Sequence, residues 1–96
     1  MKTKRKLFLA FFGVTITAED FHSVEVRSET ENFVFGHSKE YLIFELSTKN
    51  GRIDSTTIPK KSTTLAKDIE MFNDCLKLLQ QNGANLQFTE YKVTGD

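Results

Sequence analysis

Leu65, Ile69, Phe72, Leu76 and Leu79 recur at alternating steps of four and three within residues 63–82, a spacing that stacks them along one stripe of an α-helix. No other part of the 96-residue chain has so clear a helical period, so whatever the rest forms must be covered by this one helix. Gly83 stands just past the last periodic residue, where a left-handed backbone closes a helix. Pro59 precedes the start, and Ser62 or Thr63 is the expected N-cap.

The helix has a second feature. At about 100° per residue, Met71, Cys75 and Leu78 form a shoulder beside the apolar stripe, while Lys67, Glu70, Asn73, Asp74, Lys77, Gln80 and Gln81 fill the opposite, wet side. A helix lying on one sheet needs only the central stripe. The shoulder is therefore either extra core beneath a curled sheet, since Met and Cys are common gap fillers, or a surface for a partner.

Residues 1–18 read in two ways. Lys2, Lys4, Arg5 and Lys6 followed by an apolar run and by Thr15, Ile16, Thr17 and Ala18 resemble a secretory signal, which would make this a secreted or periplasmic domain. The run is too short to span a bilayer as a helix. Alternatively residues 7–17 are a buried first strand, built on Phe8, Phe11, Phe12, Val14 and Ile16 and ending in alternation. Removing residues 1–18 would leave a chain with no disulfide near the size at which one core is marginal. The strand, a single domain over residues 1–96 and a cytoplasmic setting are accordingly expected.

Further along, residues 22–27 alternate, with Val24 and Val26 on one face, and the polar run 28–31 reads as a bend. Residues 32–36 return with Phe33 and Phe35 facing one way. Residues 37–40 lead into 41–47, where Leu42, Phe44 and Leu46 oppose Tyr41, Ile43 and Glu45. Asn50-Gly51 is a hairpin signal for a primed two-residue turn, followed by a strand over 52–58. Residues 86–93 read as a closing strand with a bulge near Thr89 or Glu90. These elements predict an α+β domain: a curled antiparallel sheet of about five to six short strands with one long helix packed on it, in the order βββββαβ. The alternative, a ferredoxin-like βαββαβ plan, requires residues 17–31 to be helical, against the period of two at Val24 and Val26.

Chemistry is sparsely represented. Thirteen basic and thirteen acidic residues cancel, so no global field recommends nucleic acid or an anionic membrane. A single cysteine excludes an internal disulfide and a Cys-based zinc site. His22 and His37 have no spacing that pairs them with Cys75 or Ser38 as nucleophile, nor with Glu40 as a metal site. The pairs Glu29/Glu31 and Glu19/Asp20 fall in expected bends, where solvation explains them. No enzyme, cofactor or metal site is expected. Lys60, Lys61, Ser62, Thr63 and Thr64 gather charge and hydroxyls at the positive end of the helix, a candidate anion site without the Gly-rich loop that cradles a nucleotide phosphate. Capping and solvation are the simpler account.

The functional expectation is a small non-catalytic protein-binding module, an adaptor or inhibitor. It would use the Met71/Cys75/Leu78 shoulder or the Tyr41/Ile43 strand face, with another protein or a second copy as partner. The acidic middle of the chain, from Glu25 to Glu45, would favour a basic target. A short, Pro-poor, Lys-, Asn- and Thr-rich chain of this kind would suit an accessory protein of a phage or mobile element. The alternative is single-strand nucleic-acid binding by stacking on Phe33, Phe35, Tyr41 and Phe44, against which the zero net charge and the lack of a basic stripe both argue.

Overall fold

The computed structural model describes residues 5–93. In order, it contains β1 (Lys6–Leu9), β2 (Val14–Thr17), a 3-10 turn at Ala18–Asp20, β3 (Phe21–Asn32), a second short 3-10 piece at Val34–Gly36, β4 (Ser38–Thr48), β5 (Ile53–Pro59) and α1 (Leu65–Gln81). The domain is α+β, with a two-stranded antiparallel sheet (β1-β2), a three-stranded antiparallel sheet in the order β3-β4-β5, and one helix.

The expected first strand is in fact a hairpin. Leu7 pairs with Ile16 and Leu9 with Val14, and the turn closes through Gly13, whose N–H donates to the Leu9 carbonyl at 2.8 Å and whose φ is +66°. An unbroken apolar run hides this turn from a periodicity argument, because Phe11 is buried even though it lies in the loop.

β3 also departs from expectation. The polar residues 28–31 are strand, continuing in register with β4 as Ser28↔Leu42, Thr30↔Glu40, Glu31↔Lys39 and Asn32↔Ser38. The reversal falls at Phe33–Gly36 instead. There Phe33 N–H donates to the His37 carbonyl at 2.7 Å, and Phe35 and Gly36 both take positive φ, 67° and 75°. Because β3 is continuous, the helix at 17–31 required by the ferredoxin-like alternative is absent, the only helical piece there being the 3-10 turn. The β4–β5 connection lies at Asn50-Gly51 as expected, but as a three-residue loop between paired Thr48 and Arg52, with positive φ at Gly51 alone.

Residues 86–93 are not a strand: they run along α1, and the element order is βββββα. The helix begins one or two residues later than expected, with Thr64 as N-cap. At its other end Ala84 N–H donates to the Leu79 carbonyl at 3.0 Å after Gly83 adopts a φ of +91°.

The core is one cluster. Leu7, Leu9, Phe11 and Ile16 of the hairpin, Leu42, Phe44, Leu46 and Ile58 of the larger sheet, and Phe72, Cys75, Leu76 and Leu79 of α1 are all buried together. Aromatic rings form its centre: Phe44 and Phe72 lie 4.7 Å apart, and Phe11 lies 4.8 Å from Phe44 and 5.2 Å from Phe72. Each such pair contributes about 0.5–1.5 kcal/mol beyond area burial. The molecule is elongated, 62 × 24 × 19 Å, because the β3–β4 ladder continues past the last core residue. Residues 28–40 are exposed throughout, so this arm is held by backbone pairing rather than by burial.

Candidate functional site

The arm ends in Phe33, Val34 and Phe35, which are 43%, 77% and 93% exposed. A non-glycine residue with positive φ costs roughly 1–2 kcal/mol, and Phe35 spends it on a conformation that leaves its ring in water. Polar or glycine residues normally fill such turns. An apolar triplet at the end of a projecting hairpin is therefore the most anomalous surface of the molecule.

Beside the tip, the outer face of the larger sheet forms a groove. Odd-numbered residues of β4 face away from the core, since Leu42, Phe44 and Leu46 face into it. The register Tyr41↔Pro59 sets Tyr41 beside the end of β5, and the chain leaving β5 brings Lys61 and Ser62 up against them. Two adjoining cavities result. One of about 250 Å³ is lined by Lys39, Glu40, Tyr41, Pro59, Lys61 and Ser62. The other, of about 470 Å³, is lined by Phe33, His37, Ser38, Lys39 and Lys61. Lys39 Nζ stands 5.7 Å from the centre of the Phe33 ring, a cation–π distance.

The groove thus joins two sets of residues that are far apart in the chain, Tyr41 from the strand face and Lys61 and Ser62 from the helix start. It does not gather all of them. Lys60 N–H donates to the Glu40 carbonyl at 2.9 Å, and its ammonium lies 3.5 Å from the Glu40 carboxylate. The helix-start hydroxyls are used internally: Ser62 Oγ accepts from Thr64 N–H at 3.2 Å, and Thr64 Oγ1 donates to Asp68 at 3.0 Å. Asp68 already places a negative charge in the first turn. Thr63 is exposed.

Higher on the same sheet face, Ile43 is half-buried and in register with Arg27. Arg27 donates to Glu45 at 2.5 Å and to Glu29 at 3.2 Å, and these hydrogen bonds raise its already high pKa. Tyr41 is also shifted upward, first by loss of hydration and then by the negative charge and hydrogen bonding of Glu31.

The Met71/Cys75/Leu78 shoulder does not form one surface. Cys75 is buried in the core, Leu78 is half-buried against it, and only Met71 is exposed, at 39%. Burial pushes the Cys75 thiol upward, which keeps it protonated and unreactive. Phe44 is fully buried, so it is withdrawn from the set of ring faces on which a base could stack. Among the described residues no three His, Cys, Asp or Glu side chains are placed to hold a metal ion, and no helix is long and apolar enough to cross a membrane.

Sequence reasoning missed Val34, His37, Lys39 and Pro59. The available signal was Gly36 directly after an apolar triplet, which marks a turn as readily as a strand end. Comparison with protein-family models, curated proteins and solved structures finds no match for this chain.

Proposed function

We propose that this chain is a non-catalytic protein-binding module, an adaptor or inhibitor, that presents the β3–β4 arm to another protein with Val34 and Phe35 as anchors. The observation that carries this reading is the exposure of both side chains at the end of a paired arm. Burying each in a partner's pocket contributes about 1.5–3 kcal/mol, and a turn set by backbone geometry loses little entropy on docking. A protruding knob fits a concave pocket better than a flat surface. Nucleic-acid binding has less support, because Glu29 and Glu31 lie on the same strand that would have to track phosphates. A cytoplasmic setting accompanies the proposal, in keeping with one unpaired cysteine. So does an accessory role in a phage or mobile element, which rests on composition alone.

The test is site-specific photocrosslinking in the source cells. A benzophenone amino acid replacing Phe35 should give a discrete crosslinked protein that disappears in the Val34→Ser background. The same group at Ile53, which is also exposed, should not give it. Equal labelling from both positions, or none from position 35, would overturn the reading.

A further inference from the structure

We infer that the groove beside the tip is a socket for an acidic segment of the partner that carries an apolar side chain. This rests on the protein-binding reading above and assigns the arm two roles, a knob at Val34/Phe35 and a socket at Tyr41/Lys61. Lys39 and Lys61 line both cavities, and neither forms an ion pair among the described residues, whereas Lys60 next to them is paired with Glu40. Two lysines without a carboxylate partner therefore share the groove with Phe33, Tyr41 and Pro59, and Lys39 is held against the Phe33 ring. That combination matches a carboxylate on either side of an apolar residue.

Charge selects this occupant over others. The smaller cavity, about 250 Å³, has room for one side chain of a larger partner. A nucleic-acid strand following the arm would meet Glu29 and Glu31, which line neither cavity, whereas Glu40, the one carboxylate lining the groove, already has Lys60 as its partner. Two lysines supply only about 2 kcal/mol toward an anionic bilayer, too little to hold a chain of zero net charge.

The experiment is an amide NMR titration of the full chain with a blocked peptide holding one Phe between paired aspartates. Saturable shifts are expected at Lys39, Tyr41, Lys61 and Ser62, weakening as salt is raised. The double variant Lys39→Glu/Lys61→Glu, with both positions exposed, should retain the dispersed spectrum and bind at least about fivefold more weakly. A control peptide with lysines in place of the aspartates should give no shifts. Shifts confined to other residues, stronger binding of oligo-dT at the same amides, or equal binding by the double variant would overturn the socket. Crosslinking from position 35 separates the two ideas. If it survives in the double variant while the peptide gives no shifts even with the wild-type chain, the socket falls and the module stands; if it is absent from the wild-type chain, the module itself falls.

Discussion

Asn73 holds the main chain of Tyr91 from both sides. Its Nδ2 donates to the Tyr91 carbonyl at 3.0 Å, and the Tyr91 N–H donates to its Oδ1 at 2.8 Å. A buried side-chain amide thus takes the place of a neighbouring strand, pinning the C-terminal segment to α1 instead of to a sheet. The anchored Tyr91 ring then packs 5.8 Å from Phe44 and 6.0 Å from Phe72, capping the aromatic cluster.

Replacing Asn73 with Ala should therefore release the segment. Both hydrogen bonds are lost and a half-buried peptide group is left without partners, at a cost of about 1–3 kcal/mol. Urea denaturation and hydrogen exchange at the Tyr91 amide measure this together. Unchanged protection at Tyr91 would mean that packing alone holds it.

Phe72 is 1% exposed and touches the rings of Phe11, Phe12, Phe44 and Tyr91. Phe72→Ala should cost about 3–5 kcal/mol by opening a cavity among rings that cannot close around it. On the shoulder, by contrast, Met71→Ser should change stability by no more than about 0.5 kcal/mol. A large loss at Met71 would place it in the core.

At the tip, folding and binding should separate. Val34→Ser with Phe35→Ser should leave the melting temperature nearly unchanged, while Val34→Ser alone should abolish the crosslink formed from position 35. Phe35→Gly should stabilise the chain by up to about 1 kcal/mol, because glycine adopts positive φ without strain. A thermal melt showing destabilisation would mean that the Phe35 ring has a folding role.

Cys75 makes stability sensitive to alkaline pH. The folded state raises its pKa by burial, so the folded chain binds the thiol proton more tightly than the unfolded chain does. The stability this contributes is fully present below the ordinary thiol value of about 8.5 and is lost as pH rises through the higher folded value. Denaturation midpoints should fall over that alkaline range in the wild type and much less in Cys75→Ala. Near neutral pH a thiol reagent should react with Cys75 only as fast as the chain opens.

The N-terminal hairpin and the start of the 3-10 turn after it belong to the core, with Leu7, Leu9, Phe11, Ile16 and Ala18 all buried. A chain starting at Glu19 should lack a cooperative unfolding transition by circular dichroism. A sharp transition in that truncated chain would show that the larger sheet and α1 suffice.

Three features were determined by local sequence: α1 from the spacing of Leu65 to Leu79, the inside–outside alternation of β4, and the reversal at Asn50-Gly51. Each is a short-range pattern, a period or a turn chemistry, that any fold of this chain must satisfy. The arm was not legible, because a ladder wet on both faces needs no apolar period and its polar residues look like a bend. Asn73 was assigned to the wet side of the helix by its angle, since nothing in that angle reveals that a later segment returns to cover it. Likewise Lys39 and Lys61 share a groove only because β4 and β5 pair in the register that sets Tyr41 against Pro59. Register and the path of the last residues are chosen by the total burial of the aromatic cluster, a sum over contacts distant in sequence, so only the tertiary structure could decide them.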